Sequence, residues 1–170
     1  TGVAGGIGSA IAEKYLREGW FVWGIDCVGQ SKMIQRCDWY LQLDLGAKGL
    51  AKKINNFMLV CNINRVDAVV HVAAMQYCSS VVSSDMKMWD NIMNINVKSI
   101  YVIARTLFPY LCASCGSVIV IGSVHGQVSS KDISMYAISK SALLGLVRNL
   151  AIEWGEHNIR VNGIAPGAID

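Results

Sequence analysis

Charge is scarce in this 170-residue chain. Asp, Glu, Lys and Arg make up 16% of it, and 15 basic against 12 acidic residues leave a net charge of +3. So small and dispersed a surplus does not build the dense basic patch that nucleic-acid phosphates require. No nucleic-acid partner is expected. Proline is scarce too, with two residues, and no Pro- or Ser-rich linker divides the chain. A single domain over 1–170 is expected. Hydrophobic residues reach 53%, yet no apolar run attains the ~18 residues of a membrane span. No membrane partner is expected either. The chain opens directly on its first motif, as a segment cut from a longer parent would.

Cysteine is present without a pattern. The six residues, Cys27, Cys37, Cys61, Cys78, Cys112 and Cys115, are scattered and do not make the framework of a small secreted domain. Cys112-x-x-Cys115 alone has metal or redox spacing. A zinc site needs about four ligands, and no second pair is available, so the pair reads as a helix end and loop. No metal is expected. Reduced thiols suggest the cytoplasm.

What the chain does have is alternation. Helical patterns cover 8–19, 48–61, 88–111 and 134–155. Apolar strand-like runs cover 20–26, 39–43, 66–73, 117–122 and 160–164. Strands that read as continuous apolar runs suit a parallel sheet covered on both faces. The expected class is α/β, a doubly wound parallel sheet. In such sheets ligands bind beyond the carboxyl ends of the strands. Gly2, Asp26, Asp44, Ala73, Ser123 and Pro166 all fall there.

Tyr136 and Lys140 stand one helical turn apart, with Ser123 thirteen residues upstream of the tyrosine. That turn puts a phenol and an ammonium on one face. A nearby cation favours a phenolate. A serine hydroxyl delivered from a strand end can bind the same substrate oxygen. The set can move a proton on and off an alcohol or carbonyl. Alone, the spacing also suits an ordinary surface helix turn.

The chain begins Thr1-Gly2-Val3-Ala4-Gly5-Gly6-Ile7-Gly8, followed at once by a helical apolar pattern. A Gly-rich turn at a helix N-terminus lets backbone N–H groups approach a phosphate. No Gly-Lys-Ser/Thr is present, so the ATPase phosphate loop is excluded. Asp26 ends the next strand, 24 residues after Gly2, near the offset of a carboxylate that binds ribose hydroxyls. No Lys or Arg directly follows Asp26, which favours NAD over a 2′-phosphorylated cofactor. The alternative is that Asp26 merely begins a turn.

Together these features make the chain resemble the classical short-chain dehydrogenases/reductases, over essentially its whole length. Thr1-Gly2-x-x-x-Gly6-Ile7-Gly8 resembles the family's cofactor motif, and Asp44-Leu45 its adenine contact. Asn96 resembles the helix Asn, and Gly116 to Ser123 the strand that delivers the catalytic Ser. Tyr136 and Lys140 match the catalytic pair, and Arg160 to Gly167 the strand and Pro-Gly turn beside the nicotinamide.

The resemblance implies a Rossmann-like fold and an NAD-dependent alcohol dehydrogenase or carbonyl reductase. It implies catalytic Asn96, Ser123, Tyr136 and Lys140. Tyr136 would be the acid/base, Lys140 would hold the phenolate and the nicotinamide ribose, and Asn96 would anchor a relay water. It implies cofactor contacts at Gly2, Gly6, Ile7, Gly8, Asp26, Asp44, Leu45, Ala73, Ala74, Tyr136, Lys140, Pro166, Gly167 and Ile169. Asn96 could otherwise be a helix-surface amide. His125, Gln76 and Met135 are candidate substrate contacts, and His125 could equally be a solvated loop residue. His71 reads as a packed strand residue.

There are departures. The family's Asn-Asn-Ala-Gly is His71-Val72-Ala73-Ala74 here, and its Ser-Ser is Gly122-Ser123. Only 18 positions separate Asp26 from Asp44, so the helix between them is expected to be very short or absent. The family places an apolar strand before Thr1-Gly2, at the sheet centre, and more chain after the Pro-Gly turn. The segment is therefore expected to lack the first strand and the C-terminal part. Strands 20–26 and 66–73 should not pair directly but stand ~10 Å apart, twice the ~4.8 Å strand spacing. Helix 134–155 is apolar on more than one side, and family members pair this helix in dimers or tetramers. The alternative to an enzyme is a non-catalytic NAD-binding or scaffold member of the same fold, or an inactive fragment.

Overall fold

The computed structural model describes residues 1–29 and 37–169. The expectation of a short or absent helix between Asp26 and Asp44 falls on 30–36, outside the described residues. The chain alternates helix and strand as α1 (Gly6–Arg17), β1 (Trp23–Asp26), β2 (Trp39–Gln42), α2 (Leu50–Val60) and β3 (Ala68–His71). There follow α3 (Met86–Met93), a π turn (Asn94–Lys98), α4 (Ser99–Cys112), β4 (Ser117–Ile121), α5 (Ser134–Gly155) and β5 (Arg160–Ile164). All strand pairs among the described residues are parallel. The fold is Rossmann-like α/β.

The strands form two groups, β1-β2 and β3-β4-β5. Among the described residues, Thr1 and Gly2 bridge β1 and β3. The Thr1 amine donates to the Val70 carbonyl at 2.8 Å, and the Gly2 N–H donates to the Ile25 carbonyl at 2.8 Å. Both acceptors lie near the carboxyl ends of their strands. Below these two bonds, a cavity of about 340 Å³ separates the strands, lined by Val22, Ile25, Val69, Ile11 of α1 and Leu107 of α4. The expected lack of direct pairing between the two strands is observed.

Several elements differ from their sequence-based bounds. Strands β1 and β3 are shorter than 20–26 and 66–73, because a residue without a ladder partner is not held extended. Helix α1 begins at Gly6, inside the glycine run. The helix expected over 88–111 starts at Met86 and is interrupted by the π turn at Asn94–Lys98. A π turn widens the helix locally and re-aims side chains, and such turns are frequent at functional sites. Helix α5 and strand β5 match their expected bounds.

One core joins the layers. Ile54 and Met58 of α2, Ile100, Ile103 and Leu111 of α4, Val118 and Val120 of β4 and Leu143 of α5 are fully buried. Each such side chain stabilises the fold by ~1.5–3 kcal/mol relative to exposure. Helix α4 ends at Cys112, and Cys115 lies in the following turn with φ 51°, as the helix-end reading of that pair requires.

Candidate active site

The glycine loop is held by close approach. Gly2 has φ +71°, a region that disfavours side chains, and a Cβ there would meet the Ala73 amide nitrogen at 2.7 Å. A Cβ on Gly8 would collide with the Gly2 carbonyl oxygen. Only glycine lets the first turn of α1, the loop and the end of β3 pack this tightly. Gly5 and Gly6 remain exposed, and the Gly5 N-cap has no side-chain hydrogen bond. The first turn of α1 thus carries no side-chain cap on its N–H groups, and such uncapped groups are what an anion at a helix N-terminus uses.

Asp26, at the end of β1, bends toward this loop. One carboxylate oxygen accepts the Ala4 N–H at 2.9 Å and the other the Val28 N–H at 3.3 Å. At the end of β2, Asp44 accepts the Gly46 N–H at 2.8 Å, closing a turn. That turn lies near the π turn, since a Cβ on Gly46 would stand 3.2 Å from Ile95. Leu45 is buried.

Asn96 projects from the π turn and is fully buried. Its amide brackets Met75: the Met75 N–H donates to Oδ1 at 2.7 Å, and Nδ2 donates to the Met75 carbonyl at 2.9 Å. Nδ2 also donates to Ser139 Oγ at 2.9 Å. Asn96 is thus not a helix-surface amide. Ser139 in turn donates to the Tyr136 carbonyl at 2.7 Å. The sequence reading missed Ser139, and only its place between Tyr136 and Lys140 could have signalled it.

Ser123 follows β4 with an extended backbone and is buried. Its Oγ accepts the His125 N–H at 3.2 Å, capping a short 3₁₀ turn, Val124–Gly126. Lys140 is buried to 2% exposure. Its Nζ donates to the Ile121 carbonyl at 2.8 Å, two residues before Ser123, and lies 5.6 Å from the Tyr136 ring centre. Burial lowers the Lys140 pKa from 10.5 to about 8. The Pro-Gly turn closes the far side: the Gly122 N–H donates to Ile164 and the Val124 N–H to Pro166.

The structure thus gathers Gly2, Asp26, Ala73, Asn96, Ser123, Tyr136, Lys140 and Pro166 at the strand ends. Gly167, Ile169 and Ala74 are exposed at its margin. The ring of His125 stands edge-on to Tyr136 at 6.4 Å, and its Nδ1 is buried without a hydrogen-bond partner among the described residues. Gln76 is exposed, and Met135 is buried.

A family model for short chain dehydrogenases matches residues 1–170. The chain belongs to this family. Among curated relatives, a bullfrog (Aquarana catesbeiana) dehydrogenase/reductase SDR family member 6 is 30% identical over 169 residues, 98% of this chain and 68% of that protein. The 2-dehydro-3-deoxy-D-gluconate 5-dehydrogenase of Escherichia coli K12 is 28% identical over 98% of this chain and 69% of its own length. Among solved structures, 4-hydroxyisoleucine dehydrogenase complexed with NADH and succinate superposes with a TM-score of 0.89 at 25% identity. That match covers 98% of this chain and 77% of the other. The family member described here is an oxidoreductase. None of its described helices is long and apolar enough to cross a membrane.

Proposed function

We propose that this oxidoreductase interconverts an alcohol and a carbonyl with NAD(H), using Tyr136 as the proton-transferring group. The observation that carries this is the buried Lys140 ammonium, anchored on the Ile121 carbonyl beside the Tyr136 ring.

The loop fits a dinucleotide. The Gly2 and Gly8 contacts hold the loop tight against the end of β3, and the open side at Gly6, where a Cβ would meet nothing within 4 Å, leaves backbone free to approach a pyrophosphate at the N-terminus of α1. Gly2, Gly6, Ile7 and Gly8 would hold that pyrophosphate, Asp26 the adenosine ribose, and Asp44 and Leu45 the adenine. Ala73, Ala74, Pro166, Gly167 and Ile169 would line the path to the nicotinamide. The bound nicotinamide supplies or accepts hydride. Asp26 supports NAD over NADP, because a 2′-phosphate beside a carboxylate places like charges together.

Tyr136 takes the proton of the alcohol in oxidation and returns it to the carbonyl oxygen in reduction. Lys140 favours the phenolate through its charge. Ser123 Oγ hydrogen-bonds the substrate oxygen, where negative charge develops. Asn96 holds the Met75 backbone and, through Ser139, the start of α5, which keeps Tyr136 in register with Lys140. His125 offers its unpartnered Nδ1 to a second polar group of the substrate.

Ile138 and Ile152 lie exposed on α5, at 45% and 81%, and Tyr101 lies exposed on α4. These residues support a homodimer or homotetramer that covers both helices. Free thiols at Cys27, Cys61 and Cys78 suit a reducing compartment, which supports the cytoplasm. The test is transfer of deuterium from 4-deuterated NADH to a panel of ketones and keto acids. Label in the carbinol product supports the reading. No transfer to any member, with NADH bound, favours a non-catalytic nucleotide-binding protein.

A further inference from the structure

His71 ends β3, and its imidazole is 1% exposed. The ring lies between two hydroxyls. Nδ1 is 3.0 Å from Thr1 Oγ1, and Nε2 is 3.5 Å from Ser99 Oγ.

The neighbours of those hydroxyls decide which nitrogen carries the proton. Thr1 Oγ1 accepts the N–H groups of Val72 and Ala73, each at 3.2 Å. Both of its lone pairs are then engaged, and its own proton remains to be given. Nδ1 is the acceptor in reach. Ser99 Oγ gives its proton to the Ile95 carbonyl at 2.5 Å, so toward His71 it can only accept. Both sides of the ring therefore call for a bare Nδ1 and a protonated Nε2. Burial, with Lys140 as a further positive neighbour, drives the His71 pKa well below its ordinary value. A neutral ring is what this hydrogen-bond pattern needs.

We infer that His71 is a positioning residue: as the neutral Nε2–H tautomer it takes the Thr1 hydroxyl proton, and so aims that oxygen at the Val72 and Ala73 amides. This fixes the start of the glycine loop against the end of β3, where Gly2 already touches Ala73. Through the longer Nε2–H contact with Ser99, the ring also reaches the first residue of α4, directly after the π turn that carries Asn96. One imidazole thus links the proposed pyrophosphate loop to the proposed catalytic turn. Asparagine could make the same first link, since its Oδ1 can accept from Thr1 while its amide donates. Leucine could make neither link.

The functional part of this inference rests on the proposed nucleotide role of the loop, and the experiment separates the two. In the full-length protein labelled with ¹⁵N-histidine, two-bond ¹H–¹⁵N correlation should show His71 with an unprotonated Nδ1 and a protonated Nε2. An Nδ1–H tautomer or an imidazolium overturns the inference, whether or not a nucleotide binds. NADH fluorescence titration should show the dissociation constant of His71→Leu raised about tenfold, the loss of one buried hydrogen bond. Its kcat at saturating NADH should fall clearly less than its affinity, since the ring does not touch the reacting atoms. His71→Asn should return binding to within about threefold of the parent. Unchanged NADH binding in a folded His71→Leu variant, or an equal fall in kcat and affinity, overturns the positioning role. If His71→Leu does not fold, His71→Asn and the tautomer decide. A parent that binds no NADH overturns the nucleotide reading, while the tautomer still judges the hydrogen bond.

Discussion

Lys140 reaches back from α5 to hydrogen-bond the Ile121 carbonyl of β4 at 2.8 Å. One side chain thereby ties the helix that carries Tyr136 to the strand that delivers Ser123. The phenol, the hydroxyl and the cation are held together by that contact rather than by their spacing along the chain.

Tyr136→Phe should lower kcat by about 10²-fold or more, because it removes the group that exchanges the proton. NADH affinity should stay within about threefold of the parent. Stopped-flow turnover and fluorescence titration check both. Near-parental turnover would place the proton transfer elsewhere.

The cofactor preference should depend on the charge of Asp26. Asp26→Asn retains an acceptor for the Ala4 N–H while removing the carboxylate charge. The parent should favour NAD in kcat/KM, and the variant should narrow the NAD-to-NADP ratio about tenfold or more, in line with the like-charge penalty. A parent that uses NADP as well as NAD would refute the assignment of Asp26.

Lys140 should make apoprotein stability rise with pH on the alkaline side. Its folded pKa is about 8 against 10.5 for an unburied lysine. Between these values the unfolded chain binds the extra proton, so stability increases with pH there. Below pH 8 both states are protonated, and the cost of burying the charge is present in full. In Lys140→Met that contribution to the slope should vanish, and the variant's advantage should be largest below pH 8. Denaturant melts of parent and variant across this range measure the difference. Parallel pH profiles would show that the ammonium is not desolvated in the folded protein.

Ser139→Ala should cost about 1–3 kcal/mol, because it leaves an Asn96 amide hydrogen buried without its acceptor. It should also lower kcat more than NADH affinity, since the bond it removes sets the start of α5 rather than the glycine loop. Urea unfolding and steady-state kinetics on one variant test both parts. An unchanged midpoint would mean that water replaces the hydroxyl.

Much of this architecture was legible in the linear chain. Helix α5 and strand β5 carry their periodicity and end signals within themselves, so local pattern placed their bounds. The order of Gly2 to Gly8, Asp26, Asn96, Ser123, Tyr136 and Lys140 pointed to one crevice, because strand ends in a parallel sheet converge on one edge. The tertiary structure alone decided the π turn at Asn94–Lys98, which an unbroken helical pattern from 88 to 111 conceals. It alone seated Lys140 on Ile121, Asn96 on Met75 and Ser139, and His71 between Thr1 and Ser99. These bonds join residues 19 to 70 positions apart. Periodicity and propensity report on neighbours within a few residues. A buried polar group takes its partner from whatever the packed chain brings beside it, so its role is set only when the layers close.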